Sequence, residues 1–359
     1  MESQTEVNEP VVEASLEGTP METIYTGMHI IDRVTGTVAD RVLDEEDARR
    51  YIANITNTVR EEGNHKQYKI TSETTEVVAI IKQVFFRKEV TPAQSDLIAR
   101  RLLRTEMDAQ DRVNHLNIEI KKGSLIQSFF AANDIYYYLL SKVESDEFLD
   151  ESELIKKSGL PYGRKALKSC LFLIEPDGTI SEIYISDTNR SGTNYWHNVF
   201  LELQELTSNE ESTKKVFRLM TETVAKELKA SPTDYVLIRN QIIGYFKTQQ
   251  NFVFSEAMNY IFGEYTPESD VVDIEVLKNK IGTKMTSQNY DRAFSIQREA
   301  ITQRMWKVTK KLNDFSELVL NDHGLSIKNS IFSKEIDGEK FIVIKTTDEE
   351  TFKAFNWDE

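Results

Sequence analysis

The chain has 359 residues, 40% hydrophobic and 29% charged, and carries a net charge of −15. This length suggests two or three domains with enough apolar surface for a real core. No apolar run approaches the ~18 residues of a bilayer span, the first 22 residues hold six Glu and no Lys or Arg where an export signal would be basic, and a single cysteine, Cys170, excludes an intramolecular disulfide and any Cys-cluster metal site.

A soluble cytoplasmic protein with no membrane partner is therefore expected. Residues 1–22 are Glu-rich, carry two Pro and show no sustained apolar period, which predicts a disordered acidic tail. Residues 23–122 are predicted to be mainly helical after a short strand around Tyr25 to Ile31. Thr91-Pro92 starts a helix running to about Leu116, because Thr can cap it and Pro at the first position loses no needed hydrogen bond. Residues 123–193 form an antiparallel β region. Ser124–Ala132 and Ile135–Val143 flank the turn Asn133-Asp134, and Leu167–Glu175 and Ile180–Ser186 flank Pro176-Asp177-Gly178-Thr179. Cys170 falls in the apolar run Cys170-Leu171-Phe172-Leu173-Ile174 and reads as a small core residue.

Residues 194–316 are predicted to be helical. Phe217, Met220, Val224 and Leu228 fall on one helix face. Ser231-Pro232 opens the next helix, a short one covers about 255–262, and a last one about 297–312. In that last helix Ile301, Met305, Val308 and Leu312 form the apolar face. Residues 317–359 return to strands at Glu317–Asn321, Leu325–Ile331 and Phe341–Lys345, joined by Asp322-His323-Gly324 and Asp337-Gly338. The fold class is thus α+β: a helical N-terminal section, a central antiparallel sheet, a helical region and a small C-terminal β element.

Charge is unevenly spread. Residues 154–168 hold five bases, Lys156, Lys157, Arg164, Lys165 and Lys168, and no acid. Gly159, Pro161 and Gly163 make this stretch a loop able to grip phosphates without reading bases, or a solvated loop before a strand. In the predicted 297–312 helix, Arg304, Lys307 and Lys311 share a face that either follows a DNA backbone or pairs with acidic neighbours. Arg100, Arg101 and Arg104 interleave with Asp108 and Asp111 as a mixed-charge helix face. No glycine-rich phosphate loop, HExxH or GxSxG is present, and the five His are scattered singly. Glu119-Ile120-Lys121 puts an acid and a Lys two apart, as a metal-dependent nuclease strand would, with Asp108 or Asp111 as partner acid. A charged strand edge gives the same pattern, and the acidic pair Glu182 and Asp187 is no more specific a candidate, because acids are abundant in this chain. No catalytic residue, metal or cofactor is assigned.

Several strings and the order of elements resemble the bacterial nucleoid-associated proteins of the NdpA type. The strongest are Leu320-Asn321-Asp322-His323-Gly324-Leu325-Ser326-Ile327-Lys328 and Asp337-Gly338-Glu339-Lys340-Phe341-Ile342-Val343-Ile344-Lys345, similar to that family's closing strand segments. Asn209-Glu210-Glu211-Ser212-Thr213-Lys214-Lys215-Val216 opens a helix as the family does after its central motif. The resemblance covers roughly residues 120–355. It departs at Tyr195–Leu203, which lacks the family's "FLKGR"-like basic string.

The resemblance implies non-enzymatic association with double-stranded DNA in a bacterial nucleoid. Lys156, Lys157, Arg164, Lys165, Lys168, Arg304, Lys307 and Lys311 are the expected phosphate contacts. An acidic protein–protein module that binds or antagonises a DNA-binding machine is the alternative, and a metal-dependent nuclease the second. A protein partner, or self-association as a dimer, accompanies the DNA-binding reading.

Overall fold

In the computed structural model, which describes residues 22–41, 46–47, 50–51, 53–55, 64–116, 120, 123–160, 168–187, 195–320 and 327–356, the chain combines helices with one large antiparallel sheet. It divides into two units. The first comprises residues 1–208 with 253–255 and 291–294, and the second comprises 209–252, 256–290 and 295–359. The first unit therefore takes in both the 23–122 and the 123–193 segments and runs on to Ser208.

The sheet grows from two hairpins. β4 (Gly123–Ala132) and β5 (Ile135–Glu144) meet through Asn133 and Asp134, whose φ values of 49° and 64° are the two left-handed residues that a tight hairpin turn needs. β8 (Lys168–Ile174) and β9 (Ile180–Asp187) meet through Gly178, with φ 88°. β5 pairs with β8, so the hairpins join edge to edge. Outside them lie β1 (Glu22–Asp32), β2 (Thr37–Arg41), β3 (Lys66–Ile70) and β10 (Leu203–Glu205). The order is β10-β3-β9-β8-β5-β4-β1-β2, all antiparallel. The 23–122 region is thus less helical than expected. β2 and β3 are short and polar, so they lack the apolar alternation that marks a strand.

Among the described residues, the longer helices of this unit are α1 (Glu76–Arg87) and α2 (Pro92–Val113). The predicted start of α2 holds: Thr91 Oγ1 accepts from Gln94 N at 3.4 Å, and Gln94 Oε1 accepts from Thr91 N at 3.0 Å. Val77, Ile81, Ile98 and Leu102 share one core with Leu125, Phe129, Tyr138, Leu140, Cys170 and Phe172. Alternate strand residues, among them Ile126, Phe130, Tyr137, Leu139 and Leu171, form a second cluster on the other face. The central strands are buried on both faces, which is why they read as near-continuous apolar runs.

The second unit contains α3 (Asn209–Glu227), α4 (Pro232–Thr248), most of α5 (Phe254–Phe262) and α6 (Ile274–Ser287). Short strands β11 (Asn251–Val253) and β12 (Ala293–Ser295) lie where the chain passes between units. The α3 face predicted from Phe217, Met220 and Val224 is fully buried. Phe217 packs edge-on against Phe246 of α4 at 5.2 Å and against Trp306 at 5.4 Å.

The helix expected over 297–312 is not formed. A single 3-10 turn, Arg298–Ala300, is followed by turns and by β13 (Val308–Lys311), which pairs with β14 (Glu317–Leu320). Ile301 and Val308 are buried but Leu312 is exposed, so the spacing that suggested a helix face arises without one. Val308 and Thr309 are β-branched and favour the strand. Ile327–Ser330 is a helical turn, where a strand was expected from Leu325. β15 (Ile331–Ile336) and β16 (Glu339–Ile344) then form a hairpin of their own around Asp337-Gly338. α7 (Glu349–Ala354) follows, capped by Asp348, which accepts from Thr351 N at 2.7 Å. The predicted tail of residues 1–21, Arg164, Lys165, Glu119, Lys121 and the Asp322-His323-Gly324 joint lie outside the described residues.

Candidate nucleic-acid interface

The expected phosphate contacts are dispersed by the fold. Residues 156–159 form β7, paired with β6 (Asp146–Leu149), instead of an open loop. Lys156 pairs there with Glu147 at an exposed site. Lys157 reaches Asp150 at 2.8 Å and Glu153 at 3.1 Å. Lys157 and the Ser152 hydroxyl hold the Asp150 carboxyl well below the usual carboxylate range. Surface pairs of this kind contribute little, so a phosphate could compete for either lysine.

Lys168 cannot serve in this way. It lies on the helix-covered face of β8, with a side chain 6% exposed, and reaches Asp187 of β9 at 2.5 Å. β-sheet register explains this, since Lys142, Lys168 and Asp187 are direct cross-strand neighbours. Close by, Lys142 meets Glu106 of α2 at 2.5 Å with both side chains almost fully buried. Burial pulls the Lys142 ammonium down, and Glu106 opposes that pull.

Two of the acids singled out from the sequence have local partners. Asp187 is used by Lys168, and Glu182 accepts from the Tyr184 hydroxyl. Asp108 and Asp111 are exposed on α2. The arginines of the mixed-charge face pair elsewhere. Arg100 meets Asp96 at 2.6 Å, Arg101 meets Glu76 and Glu202 at 2.7 Å each, and Arg104 meets Glu76 at 3.1 Å.

In the second unit, Arg304 and Lys307 are exposed with no carboxylate in salt-bridge range among the described residues. Lys311 is held by Asp314 at 2.7 Å. Without a helix, the three no longer share a face.

A stronger concentration of positive charge lies along α3, beside α6. A groove of about 530 Å³ is lined by five bases, Lys214, Lys215, Arg218, Lys226 and Lys284, and by only two acids, Glu211 and Glu222. Spacings of four residues put Lys214, Arg218, Glu222 and Lys226 on one side of α3, opposite its buried Phe217 and Met220. Lys215 is 3.5 Å from Glu211. Lys284 donates to the Thr223 hydroxyl at 2.9 Å, which aims an α6 base into the α3 groove. Lys280 and Glu227 pair at 2.6 Å and tie the two helices together. Lys214, Arg218 and Lys226 are exposed and have no carboxylate in salt-bridge range among the described residues.

These groove residues were not singled out as contacts from the sequence, although their signal was there. α3 was predicted, and the Lys214/Arg218/Lys226 spacing marks a basic face once the apolar face is fixed. The two longer base-rich stretches drew attention because they are contiguous in sequence, whereas a helix gathers bases four residues apart. Neither a scan against protein-family models nor a search of the curated proteins finds a match to the chain.

Proposed function

We propose that the protein binds double-stranded DNA without catalysing a reaction, and that the basic groove along α3 and α6 is its principal phosphate contact. One observation carries this reading: in a chain of net charge −15, five bases line one groove and three of them have no carboxylate partner among the described residues. An ammonium or guanidinium already in an ion pair must give up that partner to bind phosphate, and these three need not. Lys214 to Lys226 spans about 18 Å of helix, the rise of roughly five base pairs, so the row can track a backbone. Among the described residues, the one aromatic side chain lining the groove is Tyr290, half-buried beside Lys215. Single-strand binders use several stacking rings, so the groove suits a duplex backbone better. The resemblance to NdpA-type nucleoid proteins supports the same reading, with bacterial chromosomal DNA as the proposed ligand. Arg304 and Lys307 are secondary contacts in this reading.

The test is charge reversal. Lys214→Glu/Arg218→Glu/Lys226→Glu is expected to abolish a duplex mobility shift that the wild type gives at low salt. Reversing the ion-paired Lys156 and Lys157 is expected to change affinity by less than about threefold, the size of a median surface pair. Undiminished binding by the groove variant would remove the proposal.

A further inference from the structure

The C-terminal part of the second unit leaves an unusual amount of apolar surface open. Cross-strand partners in β15–β16 share a face, so Ile342 and Ile344 lie on one side and Phe332, Ile336 and Phe341 on the other. All five are more than 40% exposed. A two-stranded hairpin that is apolar on both sides is marginal alone in water, and an open patch of this kind marks a contact surface. Beside it runs a groove of about 780 Å³, floored by residues such as Leu318, Leu320, Ile331 and Phe341. Its rim is basic: five lysines line it against one acid, Glu335. Lys334 and Lys340 have no carboxylate in salt-bridge range among the described residues.

The complement to this surface is found in the same chain. α7 carries Phe352, and Phe355 follows three residues later as its C-cap, 59% and 74% exposed. Its N-terminal end is acidic, with Asp348 as the cap and Glu349 and Glu350 in the first turn. The element thus offers two aromatic anchors behind a negative tip, and the groove offers an apolar floor behind a positive rim. Within one chain both are uncovered.

We propose that the groove of one copy receives α7 of a second copy, Phe352 and Phe355 entering the apolar floor and Asp348, Glu349 and Glu350 meeting the lysine rim. Reciprocal exchange uses both grooves and both helices and closes a two-fold dimer with no unmatched surface. Aromatic anchors seated in a pocket carry most of the affinity of such an interface. Salt weakens only the rim. This assembly is independent of the DNA groove on α3.

Sedimentation velocity of the full chain, from low to high micromolar concentration, is the test. The wild type is expected to be dimeric at the upper end. Phe352→Ser/Phe355→Ser, which alters only exposed residues, is expected to weaken association at least tenfold, the least that losing two aromatic anchors should do. Ile342→Glu should do the same from the groove side. A direct readout mixes an Ile342→Cys copy with a differently tagged Phe355→Cys copy under mild oxidation. The native Cys170 is fully buried and stays out of the reaction. A disulfide between the two tags is expected. A monomer at every concentration, or a dimer that survives Phe352→Ser/Phe355→Ser, overturns the proposal.

Discussion

Lys142 and Glu106 illustrate what a charged residue does when the fold encloses it. Their side chains are 2% and 1% exposed, with Nζ and Oε1 2.5 Å apart. Tyr195 donates to the same Glu106 oxygen at 3.3 Å, and Arg33 lies 3.7 Å from the other. Removing one member leaves a buried charge short of its partner, and such losses cost about 3–5 kcal/mol. Lys142→Met is therefore expected to lower unfolding free energy by about that much in a denaturant titration, while duplex affinity stays unchanged. A loss below about 1 kcal/mol would mean that Arg33 or solvent replaces the lysine. The same physics separates Lys168 from the groove bases. From the sequence, Lys168 is one more base in a basic stretch. Its partner Asp187 is 19 residues away and becomes its neighbour only through the β8–β9 register. Long-range pairing of this kind is not legible in a string of residues. Lys214, Arg218 and Lys226 were legible, because a predicted helix with a known apolar face also fixes its opposite face.

At the scale of elements, what could be read was whatever is decided locally. Both central hairpins and the starts of α2 and α4 are set by turn and cap chemistry within four or five residues. The strands β3 and β10 were missed because pairing with distant partners decides them; β2 and β13 pair with their chain neighbours β1 and β14 but are too short and polar to show a strand pattern. Gly178 shows how strict the local rule is. Its φ of 88° suits glycine, and an added Cβ would sit 3.0 Å from the Phe85 ring. Gly178→Ala is expected to cost about 1–2 kcal/mol, seen as a lower thermal midpoint, from left-handed strain alone. An unchanged midpoint would show that the turn and the Phe85 ring relax freely.

The approach to β3 adds a pH dependence. His65, tilted against the Tyr184 ring with centroids 4.0 Å apart, is pushed down to about 3 by burial and by Arg292. Unfolded, the imidazole takes its proton near pH ~6.5. Between these values the unfolded chain binds the extra proton, so stability rises with pH and is lost as pH falls below ~6.5. His29 and His197, also lowered by burial, act in the same direction. Thermal midpoints measured from pH 7 to pH 5 should fall, and His65→Gln should flatten that slope. A midpoint independent of pH over this range would contradict the assignment.

At the scale of the whole molecule, the net charge conceals a division of labour. The first unit carries 36 acids and 24 bases, whereas the second carries 23 acids and 20 bases. The basic groove thus belongs to the unit whose own charges nearly cancel. The acidic excess of the first unit also suits a basic protein partner. That alternative predicts no duplex shift, or one indifferent to the groove variant. The single most direct measurement is duplex affinity across a salt series, with a matched single strand beside it. If the three groove cations that have no carboxylate among the described residues, alone or with their two groove neighbours, neutralise phosphates, log affinity should fall against log salt with a slope of about −2.7 to −4.5, at about −0.9 per phosphate. Lys214→Glu/Arg218→Glu/Lys226→Glu should remove most of that slope. No duplex shift at the lowest salt, or a single strand bound more tightly than the duplex, would contradict the account.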